Sequence, residues 1–296
     1  MQDLSGGISE LYAIKFIPTN ILFKYIHDAK TKSTMMSVIT DNETHTTDFG
    51  LLRLHYYAII DIQIATGISI NHKFPLLHIY NPHGQSSKSY FGNIEQIFTK
   101  ETIRSQLKIN VDGESWILYD DFIKYFDFVD ICNLTPNKMI GDVYTKSGGK
   151  KLSLSKITGK FMGAINSREI TDSFIETNPQ YRVVLTEPDH DNIECSILIG
   201  VSLKRRHDLE QVSKTPIHFH IILIDNDDDE STRVPKPLSS CGEKCNKLGP
   251  FVSIGLVSGR FNIKPGAFYI IPSVGETFKG ATFHLQILSE HANILE

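Results

Sequence analysis

The chain has 296 residues, a length that suits two domains, each large enough to bury its own core. Hydrophobic residues make up 41% and charged residues 22%, the balance of a globular protein rather than a disordered or fibrous one. A net charge of −4 argues against nucleic acid as a partner and against a broadly basic membrane-coating face, and no apolar run is long enough to span a bilayer.

The first region opens with NILFKYIHDAK, where Ile21, Leu22, Tyr25 and Ile26 share one face of a predicted helix. Two strand-like runs follow, LRLHYYAIIDIQI and FPLLHIY, rich in β-branched and aromatic residues and separated by the turn region ISINHK. In ESWILYDDFIKYFDFVDI the second half places Phe122, Tyr125, Phe126 and Val129 at helical spacing with acids between them. The stretch DVYTKSGGKKLSLSK is polar, holds Gly148-Gly149 and has no apolar period, so the domain boundary is expected there.

The second region is strand after strand: YRVVLTEP, CSILIGVSL, IHFHIILID, PFVSIGLV, AFYIIPS and TFHLQILS. Turn signals in PDHDN, in the polar stretch from Asp225 to Gly249 and in KPG divide them, which predicts an antiparallel β-sandwich. The expected fold class is therefore α+β and β-rich, an antiparallel sheet with flanking helices followed by a sandwich. The expected division is 1–138, a linker over 139–152, and 153–291.

Cys132, Cys195, Cys241 and Cys245 are too few and too scattered for a disulfide scaffold, and the opening MQDLSGGISE has no secretory pattern. An intracellular, cytoplasmic setting is the expectation. His55 lies at the start of the first strong strand, and Asn81 ends the next in IYNPHG. A cysteine protease needs a thiol, a histidine to take its proton and a side chain such as Asn to hold the imidazole tautomer. Alone, such a His can equally be structural, and Asn-Pro can simply start a turn.

Several segments together resemble the calpain family of calcium-dependent, papain-like cysteine peptidases. GGISELY, LHYYAII, IYNPHG, DGESWILYDDFIKYF and ICNLTP occur in calpain order, and TNPQYRVVLTEPD, CSILIG, NIKPGAFYIIPS and LQILSE resemble the β-sandwich that follows the protease core. The resemblance covers nearly the whole chain. It implies the His/Asn half of a protease core for the first region and a C2-like sandwich for the second, with His55 and Asn81 in the catalytic positions. Protein substrates or regulatory partners come with that resemblance, and anionic phospholipid is a further partner it suggests.

The departures from the family pattern are local. The family's Gly-His-Ala-Tyr reads Leu54-His55-Tyr56-Tyr57, which adds bulk beside the histidine, and its Asn-Pro-Trp-Gly reads Asn81-Pro82-His83-Gly84. The missing Trp is expected to leave the His–Asn bond wetter. No Cys precedes His55, and the family's cysteine motif would lie before residue 1, so the chain is expected to be inactive alone: a truncated or non-proteolytic calpain. The alternative is a regulatory or scaffold protein that uses its sandwich for calcium, phospholipid or protein contact.

DGES matches the family's Asp-Gly-Glu calcium segment, which makes Asp112 and Glu114 candidate ligands of a weakened site, or else an acidic turn before Trp116. A further acidic ligand expected after the Asn-Pro turn falls near Ser86-Ser87-Lys88. Glu187, Asp189, Asp191 and Glu194, and separately Asp225 with Asp227 to Glu230, form acidic loops that either gather calcium or are simply solvated. Lys204, Arg205, Arg206 and His207 make a short basic patch beside them. His218 and His220 alternate on one strand face, and with Cys241 and Cys245 they offer four ligands for zinc, the alternative being that the cysteines are a pair of free thiols.

Overall fold

The computed structural model describes residues 5–31, 35–40, 50–52, 54–68, 72–84, 88–134, 152–161, 171–190, 192–204, 217–223, 233–234, 256–274 and 280–296. They divide into two compact units, one up to Leu134 and one from residue 152 onward. The expected linker over 139–152 lies outside the described residues except for Leu152.

The first unit is built on a six-stranded antiparallel sheet. Its strands are β1 (Ile8–Ala13), β2 (Met35–Ile39), β3 (Tyr56–Thr66), β4 (Lys73–Tyr80), β5 (Glu114–Leu118) and β6 (Phe128–Asn133), in the order β1-β6-β2-β3-β4-β5. The β3–β4 pair carries a register shift at Ile59/Asp61, which turns the second half of β3 over. Helix α1 (Thr19–Thr31) lays Leu22, Ile26 and Ala29 on the sheet, where they pack with Val38, Ile59, Leu77, Ile117, Phe122 and Val129. Burying side chains of this size contributes about 1.5–3 kcal/mol each.

Two sequence expectations change here. Ile21 points outward, because the buried stripe of α1 runs through Leu22, Ile26 and Ala29. The helical pattern through Val129 breaks at Phe126: the short helix α4 (Tyr119–Tyr125), which follows α2 (Ile94–Ile97) and α3 (Lys100–Gln106), ends there in extended backbone. Val129 lies on β6, and both elements feed the same core, so one apolar spacing served a helix and a strand.

The second unit is a two-sheet sandwich. One sheet has the order β10-β12-β8-β14 and the other β11-β9-β13-β7. The strands are β7 (Ser153–Lys160), β8 (Tyr181–Leu185), β9 (Cys195–Leu203), β10 (Ile217–Leu223), β11 (Leu256–Ile263), β12 (Gly266–Val274), β13 (Thr282–Ser289) and β14 (Asn293–Leu295). Alternate residues of the two sheets meet in one core that includes Val183, Ile197, Ile199, Val201, Phe219, Phe268, Phe283 and Leu285. Gly159 on β7 sits where any Cβ would strike the Tyr181 hydroxyl and the Phe283 ring. Helix α5 (Asp172–Thr177), capped by the Thr171 hydroxyl on the Phe174 N–H, covers the outer face of the first of these sheets with Phe174 and Ile175. The fold class is as the sequence indicated, α+β and rich in antiparallel strands. No helix among the described residues is long and apolar enough to cross a membrane.

Candidate functional site

His55 comes one residue before β3 and Asn81 one residue after β4, and these strands pair as neighbours with Ala58 opposite Tyr80. The pairing delivers both side chains to one end of the sheet. His55 Nε2 lies 2.8 Å from Asn81 Oδ1. The same oxygen accepts the backbone N–H of His83 at 3.0 Å. That second bond identifies Oδ1 as an acceptor, so the His55 Nε2 must carry the proton. Nδ1 then keeps the lone pair and is the basic nitrogen. Asn81 is buried, and His55 is half-buried.

The backbone around the pair is clamped. The buried Thr40 hydroxyl accepts the His55 N–H at 3.1 Å and donates to the Leu52 carbonyl at 2.7 Å. Tyr57 braces the same loop: its ring stands edge-on to His55 at 4.9 Å, and its oxygen accepts the Leu52 N–H at 2.8 Å. Burial pushes the Tyr57 phenol up, so it stays protonated near neutrality. On the other side, Asn81 donates its N–H to the Gly113 carbonyl at 2.9 Å, and Gly84 closes the turn on the Asn81 carbonyl at 2.9 Å. Gly113 has φ +94, and a Cβ there would lie 3.0 Å from the Asn81 carbonyl oxygen, so only glycine lets the two turns approach.

Leu54 takes φ 47, the left-handed region, directly before the histidine. A Leu there costs about 1–2 kcal/mol of backbone strain. Tyr56 projects outward, 57% exposed. His83 is exposed too, and its ring lies 4.6 Å from the His55 ring. A polar, solvent-facing ring therefore flanks the His–Asn pair. The contribution of Thr40 has no signal in its local pattern, whereas Leu54 stands where the family's motif has glycine, the residue that its left-handed backbone favours.

Asp112 and Glu114 do not face each other through a shared partner. Asp112 Oδ1 accepts the Gly113 N–H at 2.9 Å. Glu114 turns inward, accepts the Asn110 N–H at 2.7 Å and lies 3.3 Å from His78 Nε2, an electrostatic contact rather than an aligned hydrogen bond. The His78 ring stacks on Trp116 at 4.3 Å. Burial holds His78 below the usual histidine range, against the pull of Glu114. Calcium asks for six to eight converging oxygens, and no group of three or more His, Cys, Asp or Glu side chains converges among the described residues. Each of the two carboxylates is already tied to a backbone N–H. Of the further ligand position near Ser86-Ser87-Lys88, the first two residues lie outside the described residues.

Among the described residues the thiols of Cys132 and Cys195 are inward. Cys132 is on β6, fully buried, with its sulfur 3.3 Å from the Ser5 hydroxyl. Cys195 is buried on β9 and donates to the Glu187 carbonyl at 3.1 Å; burial, then the carboxylates of Asp189 and Glu194, push its thiol up to about 11. Asp189 spends a carboxylate oxygen on the Ser196 N–H at 2.8 Å, and Glu187 approaches His291 at 3.7 Å. Asp191, residues 225–230, 205–207, Cys241 and Cys245 lie outside the described residues. His218 and His220 do share one strand face, with rings 4.3 Å apart, buried beneath α5, where His220 meets Phe174 edge-on at 4.9 Å.

Residues 1–133 match the family described as calpain family cysteine protease, and residues 163–288 match calpain large subunit, domain III. The chain belongs to the calpain family. It is 27% identical to Calpain-A of Drosophila melanogaster over 316 aligned residues, covering 100% of this chain and 38% of that protein. It is 27% identical to human Calpain-9, covering 98% of this chain and 42% of the relative, and 26% identical to the mouse Calpain-2 catalytic subunit, covering 98% and 43%. The chain thus spans about two-fifths of the length of these calpains. The protease match contains His55 and Asn81, and the domain III match contains the strands from β8 to β12 and most of β13.

Proposed function

We propose that the first unit supplies the histidine–asparagine half of a calpain-type cysteine endopeptidase centre, with His55 as general base and Asn81 as its orienting residue. We further propose that this chain does not cut peptides by itself. The observation that carries the reading is the 2.8 Å contact between His55 Nε2 and Asn81 Oδ1, with the oxygen fixed as acceptor by His83. A thiol presented to Nδ1 would pass its proton there, leaving a thiolate beside an imidazolium held by Asn81. The thiolate would attack the scissile carbonyl carbon, and the proton would move from Nδ1 to the departing amine. Water would then hydrolyse the acyl-enzyme. Protein substrates follow from the same reading.

Within this unit Cys132 is the sequence's only cysteine, and it is buried against Ser5, so the nucleophile would have to come from another lobe. Calcium control is the family expectation, and Asp112 and Glu114 are its weakened candidates. We assign no step to the ion, since both carboxylates are bonded to the chain itself. A partner-binding role for the sandwich unit stands beside the enzymatic one.

The test is complementation. The purified chain with calcium should leave casein intact. Adding a separately expressed cysteine-bearing calpain lobe should give cleavage that is blocked by a thiol-directed epoxide and lost with His55→Ala. Cleavage by the chain alone that survives His55→Ala, or complemented cleavage indifferent to both His55 and Asn81, contradicts the reading.

A further inference from the structure

The two sheets of the sandwich treat their outer faces differently. On the β10-β12-β8 side the outward residues Ile222, Tyr269 and Ile271 are buried with Phe174 and Ile175 of α5. On the β11-β9-β13-β7 side the outer face is buried at one end, where Leu198, Gln286 and Leu288 point outward, and polar toward the Thr282 end. Ile157, Val201, Leu285 and Val257 point into the core, so Lys156, Thr158 and Lys160 of β7, Thr282 and His284 of β13, Ser202 of β9 and Ser258 of β11 point outward. Lys204 continues the row, its N–H bonded to the Thr282 carbonyl at 2.8 Å. None of the four strands contains an Asp or a Glu, in a chain whose net charge is −4.

Lys156, Lys160 and Lys204 are exposed, and none has a carboxylate partner among the described residues, whereas Arg182 of the other sheet is paired with Glu296. Lys160 and Lys204 stand on either side of Thr282, about 10 Å apart across two strand spacings. Lys156 and Lys160 are four residues apart along β7, about 13 Å. Inside this triangle His284 is hydrogen-bonded to the Thr158 hydroxyl at 2.9 Å. Burial and then the charges of Lys156 and Lys204 hold His284 below the usual histidine range, so the centre of the triangle is neutral and rich in hydroxyls.

We propose that this face is a docking surface for an extended, carboxylate-rich polypeptide segment. Such a segment carries charges four residues apart at about 13 Å, the interval from Lys156 to Lys160. Lys204 holds the strand's flank, and the hydroxyls of Thr158, Ser202 and Thr282 donate to its oxygens. Among the described residues the triangle's one ring is the His284 imidazole, partly buried and tied to Thr158, and there is no exposed apolar wedge to enter a bilayer, which favours a peptide over nucleic acid or membrane.

Fluorescence polarisation with a labelled glutamate-rich peptide of about a dozen residues tests this directly on the full chain. Binding is expected at low salt, weakening steeply as salt rises. The triple reversal Lys156→Glu, Lys160→Glu, Lys204→Glu should lose tenfold or more in affinity, because all three side chains are exposed and their loss leaves the fold intact. A control reversal of the exposed Lys24, Lys100 and Lys108 on the other unit should bind as the parent does. No peptide binding at low salt, equal loss in the control reversal, or binding of phosphatidylserine vesicles or single-stranded DNA in place of the peptide overturns the assignment.

Discussion

Two histidine pairs in this molecule are nearly the same distance apart and do opposite things. His55 and His83 lie 4.6 Å apart at a half-exposed sheet end, and His55 is tied to an amide oxygen that dictates which nitrogen carries its proton. His218 and His220 lie 4.3 Å apart under a helix, among Phe174, Ile222 and Ile271. Burial, then the neighbouring His218, pushes His220 down to about 4. The first pair faces solvent with a fixed amide acceptor; the second is shut away from solvent, where His220 stays neutral. What separates them is the acceptor and the solvent, neither of which is visible in the spacing of the histidines.

The buried pair gives the largest expected effect. The folded value of His220 is depressed below its ordinary 6.5, so the unfolded chain binds a proton first as pH falls. Stability should therefore decline from about pH 6.5 to about pH 4 and level off below that, a loss of roughly 3 kcal/mol. Urea unfolding across that range, followed on the sandwich unit, should show the decline in the parent and a much flatter curve in His220→Phe. An unchanged slope in the variant would place the acid sensitivity elsewhere and erase the contrast between the pairs.

The exposed pair should respond to its acceptor instead. Asn81→Ala strands two donors, the His83 N–H and the His55 Nε2–H, and should cost about 1–2 kcal/mol in denaturant unfolding. Leu54→Gly should act in the other direction, gaining on the order of 0.5–1 kcal/mol by relieving the left-handed backbone beside the histidine. The smallest change belongs to the thiols. Cys195, held protonated by burial, should remain unlabelled by iodoacetamide in the folded chain at mildly alkaline pH, as read by mass spectrometry.

Much of this was readable in the sequence, and the failures have physical causes. The pairing of His55 with Asn81 was legible only because both sit in segments that resemble calpain motifs; their local pattern alone left each open. Strand β7 was missed: its first half falls in the polar stretch that ends at Lys156, and its outward Lys156, Thr158 and Lys160 hide the inward Ile157 and Gly159. Helix α5 escaped because six residues carry only two core side chains, Phe174 and Ile175. The inward turn of Glu114 toward His78 and Asn110 depends on the pairing of β4 with β5, which brings residues 36 positions apart into contact, and no local pattern encodes that.

The central claim is that Asn81 fixes His55 with its proton on Nε2 and its lone pair on Nδ1. Nitrogen-15 NMR of the imidazole at about neutral pH reads this directly. The account predicts a predominant Nε2–H tautomer for His55 in the parent and a solvent-like mixture in Asn81→Ala. A predominant Nδ1–H tautomer in the parent, or a His55 signal that is the same with and without Asn81, would contradict it.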